Sequence, residues 1–199
     1  LYTKKDLIIS FKNDLMPTIS SIRECLICNN IGKHFGLKFA LHLKIDTGMS
    51  RLGFESDKFL QQFKKIKSFE NISIQGIYSH LSSADEDNSL DPKSSTQLQR
   101  LKFQELLNQV NVDRNQNIKI HLANSAGMLL SKDFHFHMVR VGLSMYGYSP
   151  LPKIDKNLSL KPALFLKAKV AFIRIIDKGV SVSYGGTFVS TRKTKIAVL

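Results

Sequence analysis

Strand-like and helix-like segments alternate through residue 144 of this chain, and that alternation restricts the fold more than any single residue does. A short apolar run, LIIS (7–10), precedes an amphipathic stretch, NDLMPTISSIRECLI, with Asn13 as a candidate N-cap. KFALHLKID (38–46) is strand-like, and SDKFLQQFKKIKSF (56–69) carries Phe, Leu and Ile at helical spacing. ISIQGIYSH (72–80) begins with the period-two alternation of a strand. In DPKSSTQLQRLKFQELLNQV (91–110), Asp91 is placed to cap a helix and Pro92 to occupy its first turn. IKIHLANS (118–125) is again strand-like, a short helical piece covers 126–132, and HMVRVGLS (137–144) reads as a further strand. Such an order predicts parallel βαβ units and an α/β fold.

The pattern changes after SPLPKIDKNLSLKP, a lysine-rich spacer with three prolines. ALFLKAKVAFIRIID, GVSVSYGGTFVS and KTKIAVL are apolar or alternating runs separated by turn residues, with no helical pattern between them. We therefore expect an α/β domain over 1–158 and the start of a β-rich domain over 159–199. The chain opens on Leu1 rather than Met and stops at Leu199 inside an apolar run, as a piece of a longer protein would.

Composition matters mainly for what it makes unnecessary. No apolar run reaches the ~18 residues of a membrane-spanning helix, and LYTKKDLIIS has no signal-peptide core, so a cytoplasmic location is expected. The net charge of +13 raises the question of nucleic acid. The charges are scattered, however, and Lys heavily outnumbers Arg, as in a solvated surface, so no nucleic-acid partner is expected. The two cysteines, Cys25 and Cys28, lie one helical turn apart with no second Cys/His pair at zinc spacing. They read as small apolar residues.

Polar residues interrupt the strands at equivalent places. KFALHLKID ends on Lys44 and Asp46 and runs into TGMSRLG with Arg51. ISIQGIYSH ends on His80. IKIHLANS holds His121 and ends on Asn124 and Ser125. HMVRVGLS carries Arg140 and then Gly142. In a closed parallel barrel the C-terminal strand ends share one face, which is where such barrels keep their sites. A histidine, a serine and two cations there suit an anionic, phosphate-bearing ligand better than a metal or a serine nucleophile. Each residue also has a plainer role: Lys44 with Asp46 as a salt bridge at a strand end, Arg51 on the surface, His80 and His121 as hydrogen-bonded core residues, Ser125 as a helix cap. His135 and His137 lack this placement and read as structural. No G-x-S-x-G elbow is present.

Taken in order, LHLKIDTGMSRLGF, GIYSHLSSADE, HLANSAG, VRVGLSMYG and VSYGGTF closely resemble bacterial alanine racemases. The resemblance implies a (β/α)8 barrel followed by a β-rich domain, and a homodimer in which each active site borrows residues from the partner. It implies pyridoxal phosphate as cofactor and alanine as substrate, with D-alanine made for peptidoglycan. Arg140 would face the pyridine nitrogen, where a fixed guanidinium limits the ring as an electron sink. His121 would orient Arg140. Ser125 and the backbone N–H groups of Gly142 and Leu143 would bind the phosphate, and Arg51 the phenolate oxygen. Lys44 would be the position that many members carbamylate.

Tyr184, in VSYGGTF, would be one of two acid/base groups, activated by His80, because tyrosine ordinarily ionises only near ~10. The other group, the cofactor lysine, lies in a V-K-A-N-A-Y-G motif in this family, and no such motif occurs in the 199 residues. On this basis the chain by itself is expected to be inactive. The resemblance leaves room for a serine or broader-specificity racemase, and more distantly for a decarboxylase of this barrel class or a noncatalytic binder of the cofactor.

Overall fold

The computed structural model describes residues 2–86, 88–111, 117–151 and 159–199. It divides into two compact units, Leu1–Pro162 and Ala163–Leu199. The expected boundary between 158 and 159 adjoins 152–158, which lie outside the described residues.

The first unit begins with helix α1 (Lys4–Lys12), closed by a capping box in which Thr3 and Asp6 satisfy each other's backbone N–H. LIIS is thus helical, and Asn13 ends this helix rather than starting the next. Pro17 lies in the loop that follows, and a short strand β1 (Thr18–Ile19) precedes helix α2 (Ile22–Phe35), capped by Ser21. Strand β2 (Phe39–Asp46), the short β3 (Phe54–Glu55), helix α3 (Phe59–Lys67), strand β4 (Ile72–Tyr78) and helix α4 (Ser95–Gln109) continue the alternation. The cap of α4 is Ser94, three residues beyond Asp91, whose carboxylate instead accepts from Lys93 N in a turn. Strand β5 (Lys119–His121) and helix α5 (Ser125–Leu130) complete the regular part.

The strands run parallel in the order β1-β2-β4-β5, with β3 paired to the end of β2. This is an α/β fold, consistent with part of a (β/α)8 barrel. Along β2, Leu41, Leu43 and Ile45 are fully buried in the apolar core with Cys25 and Cys28 of α2 and Phe59 of α3. Burial pushes both thiols up to about 12, so they stay protonated and act as packing. The alternate residues, His42 and Lys44, stand on the other face of the strand.

The segment expected as a strand over 137–144 is not one. It follows β5 through a single parallel bridge, His121 to Met138, and through Arg140 N donating to Ala123 O. Gly142, at φ −114° and ψ −93°, then turns the chain into a 3₁₀ helix over Leu143–Tyr146.

In the second unit the apolar run from Ala163 becomes strand only at β6 (Phe172–Ile176), antiparallel to β9 (Thr194–Val198). Strands β7 (Ser181–Val182) and β8 (Phe188–Val189) form a second antiparallel pair around a 3₁₀ turn, Tyr184–Gly186.

Candidate active site

The polar breaks of the sequence converge because of strand register. Lys44 of β2 lies opposite Tyr78 of β4, and Tyr78 opposite His121 of β5, so three strands place a polar row at one level. Arg140 joins it from the segment after α5. Its guanidinium carbon sits 4.8 Å above the Tyr78 ring. Nη1 lies 2.6 Å from His121 Nδ1, and Nη2 shares its hydrogens among Ser79 O at 2.8 Å, Leu122 O at 3.0 Å and His80 Nδ1 at 3.1 Å.

Guanidinium only donates, so both histidines must present an unprotonated Nδ1. The electrostatics agree. Burial, with the Arg140 charge next, pulls His80 down to about 4 and His121 down to about 3. Both imidazoles are neutral near pH 7, and His80 keeps an N–H on Nε2. Lys44 is buried as well, with its ammonium 6.0 Å from the Tyr78 ring. Burial and then the Arg51 and Arg140 charges lower its affinity for a proton. Among the described residues neither Lys44 nor Arg140 has a carboxylate salt-bridge partner. The plainer alternative, a Lys44–Asp46 salt bridge, does not form; Asp46 accepts from Gly48 N and Ser50 N.

Asp46 therefore shapes the loop that carries Arg51, which is exposed. Gly53 lets that loop return onto β2: at φ +135°, a side chain there would stand 2.6 Å from Asp46 N. The fold thus accounts for the Asp and the last Gly of DTGMSRLG as backbone requirements.

Ser125 does not cap α5. Asn124 does, accepting from Gly127 N at 2.9 Å. The Ser125 hydroxyl is left to accept from Gly142 N at 2.8 Å and Ser144 N at 3.3 Å, which ties the start of α5 to the 3₁₀ turn. Ser144 Oγ is buried with no partner in the described structure. His80, Ser125, Arg140, Gly142 and Leu143 line one open cavity of about 380 Å³, with Asp85 on its wall. Tyr184 belongs to the second unit and is 99% exposed. His135 and His137 bond to backbone at Met128 and Ile118, away from this cavity.

Four contributors carried too weak a signal to be singled out: Tyr78, Gln99, Ser144 and His42. Gln99 of α4 is buried and donates to His80 O at 3.0 Å while accepting from Ser82 N at 2.9 Å, so it holds the loop that presents His80. Gln99 shares the buried face of α4 with Phe103 and Leu106, and only its polar side chain points to solvent in a reading of the sequence. His42 and Tyr78 did sit on the Lys44 face of their strands, and that period-two placement was the available clue.

Residues 2–150 match the family described as Alanine racemase, N-terminal domain. The chain belongs to the alanine racemase family. It is 44% identical over its whole length to an alanine racemase of Prochlorococcus marinus, covering 51% of that protein. It is 36% identical to one of Halothermothrix orenii, over 95% of this chain and 49% of that protein. The chain thus spans about half the length of the curated alanine racemases it matches. A solved alanine racemase of Clostridium difficile 630 superposes with a TM-score of 0.75 at 30% identity, over 99% of this chain and 51% of that one. An alanine racemase of Bartonella henselae, described with covalently bound pyridoxal phosphate, gives 0.75 at 28% identity, over 98% of this chain and 52% of that one.

Proposed function

We propose that the whole protein to which these residues belong interconverts L- and D-alanine with pyridoxal phosphate, and that the Arg140 cavity holds the cofactor. The observation that carries this is a guanidinium caged by two neutral histidines and two carbonyls, with no carboxylate paired to it among the described residues. Such a cage stabilises a fixed cation whose remaining N–H groups can meet a neutral acceptor. The cofactor fits on two further grounds. Among the described residues the buried Ser144 hydroxyl lacks a partner, and the Ser125 hydroxyl, whose oxygen accepts from the Gly142 and Ser144 amides, keeps its own hydrogen to offer a phosphate at this glycine-bearing turn.

Arg140 would face the pyridine nitrogen, His121 would hold Arg140, and Ser125, Gly142 and Leu143 would bind phosphate. Arg51 would meet the phenolate oxygen. When bound, the cofactor supplies electron withdrawal that acidifies the substrate Cα proton. Tyr184 Oη would take or return that proton on one face of Cα. The His80 Nε2–H, whose ring is locked through Nδ1 by Arg140, would donate to Tyr184 Oη and favour the phenolate. The opposite face needs a second base, which the family resemblance assigns to the cofactor lysine. Tyr184 lies in the second unit and is exposed, and we propose, on the family resemblance, that it acts on the partner's site in a homodimer. Lys44, whose affinity for a proton is lowered by burial and then by the guanidinium charges, would as its neutral amine add carbon dioxide and release a proton, giving a carbamate whose negative charge faces Arg51. D-alanine for peptidoglycan and a cytoplasmic location go with this activity.

The purified whole protein should convert L-alanine to D-alanine with added pyridoxal phosphate and be slower on serine. Conversion of serine with no turnover of alanine would overturn the substrate assignment.

A further inference from the structure

The chain of contacts behind Arg140 does not stop at His121. Because His121 Nδ1 accepts from Arg140, the proton of this neutral ring resides on Nε2. That Nε2 lies 3.1 Å from Nδ1 of His42 on β2, so His42 Nδ1 is the acceptor. The ring of His121 is thereby held at both nitrogens. Its plane is fixed separately by Tyr78, stacked at 4.6 Å and 10°. Tyr78 is itself tied to Thr18 of β1 through its hydroxyl at 2.9 Å.

The fold makes specific room for this arrangement. His42 lies opposite Gly76 of β4, just after a register shift between Leu41 and His42. A side-chain carbon at Gly76 would stand 2.5 Å from two His42 ring atoms, Cε1 and Nδ1, and 2.8 Å from Nε2. The φ of Gly76 does not demand glycine, since it is not among the positive values. Its lack of a side chain is explained by the imidazole lying over it. A glycine inside a central strand otherwise weakens the strand.

We propose that His42 is a positioning residue for Arg140: it accepts the Nε2 proton of His121, and so holds the His121 Nδ1 lone pair on the guanidinium. Gly76 is the recess that lets it do so. Without an acceptor at this point His121 can rotate about its side-chain bonds, and Arg140 Nη1 loses its fixed partner. The inference rests on the Arg140 role above for its catalytic consequence, but the histidine pair itself does not.

The test uses the whole protein labelled with nitrogen-15 in histidine and arginine. In the wild type, magnetic resonance should detect a through-bond coupling between His121 Nε2 and His42 Nδ1, a proton on His121 Nε2, and slow exchange of the Arg140 guanidinium hydrogens. His42→Asn places a carbonyl oxygen near the position of Nδ1 and should preserve slow exchange and near-normal kcat. His42→Gln, of similar polarity but with its carbonyl one bond further out, should accelerate exchange and lower kcat by about tenfold, as losses behind a ligand-holding histidine do. Gly76→Ala, which displaces the ring while leaving its chemistry intact, should act like His42→Gln. A wild-type His121 with no proton on Nε2 overturns the proposal even if every variant misfolds. So does unchanged Arg140 exchange in folded His42→Gln and Gly76→Ala proteins. If exchange responds as described but no variant or wild type turns over alanine, it is the racemase assignment that fails, and the histidine pair stands.

Discussion

The two units differ in how much of a site each can make from its own residues. In the first, strand register aligns Lys44, Tyr78 and His121, and Arg140 is bonded to His121 and to the backbone carbonyls of Ser79 and Leu122, all within the unit. In the second, Phe172, Ile173, Ile175 and Phe188 are all more than half exposed, and Tyr184 is 99% exposed, so no residue of its own unit encloses its phenol. A caged side chain has its protonation state and orientation set by local contacts. An exposed tyrosine on a 3₁₀ turn has neither, and acquires a role only from what is brought to it.

The largest effect that sharpens this contrast is on turnover. Tyr184→Phe in the whole protein should reduce kcat by about 10²–10⁴, the usual weight of one general acid/base. Its thermal midpoint should stay at the wild-type value, because the hydroxyl of an exposed side chain contributes little to the fold. A matching loss of stability would show the phenol to be a packing group and erase the distinction between the units.

Next comes the scaffold of the first unit. Gln99→Leu strips partners from His80 O and Ser82 N at once. Losing two part-buried hydrogen bonds should lower the unfolding free energy by about 1–3 kcal/mol and raise KM, read from urea titrations and steady-state kinetics. Wild-type stability in this variant would mean the His80 loop holds itself.

A smaller effect is set by pH. His80 at about 4 and His121 at about 3 stay neutral in the fold, whereas unfolded histidines take up protons below about 6.5. Between those values the unfolded chain binds more protons, so stability must fall as pH falls. At pH 5 the loss should be on the order of 1–2 kcal/mol for each histidine. Replacing His121 by Gln should flatten that slope in urea midpoints taken from pH 7 to 5; an unchanged slope would place the titration elsewhere.

The same contrast explains what could be read in the residues themselves. The βαβ order was legible because apolar periodicity reports burial directly, and β2, α3 and β4 fall where that periodicity put them. Caps were less so: Asn13 and Asp91 have the right chemistry for an N-cap, but Thr3, Ser21 and Ser94 have the right place, and only the path of the chain distinguishes them. The segment around Arg140 looked like a strand because its apolar residues flank β5, while Gly142 turns it before a ladder forms. Lys44, His80, His121, Ser125 and Arg140 were visible as polar breaks at strand ends. His42, Tyr78 and Gln99 were not, since their importance lies in a neighbour on another element, and linear spacing does not encode which strand faces which.

We have proposed that the Arg140 cage of one protomer and Tyr184 of its partner make one active site. Two variants of the whole protein, Arg140→Glu and Tyr184→Phe, test it most directly. Each alone should be nearly inactive. In a mixed dimer, one site would take its barrel residues from the Tyr184→Phe chain and its tyrosine from the Arg140→Glu chain, and would be intact; the other site would hold both lesions. Random exchange makes half the dimers mixed, so mixing should restore about a quarter of wild-type activity. If subunit exchange is complete and no activity returns, each Tyr184 serves its own protomer and the shared site does not exist.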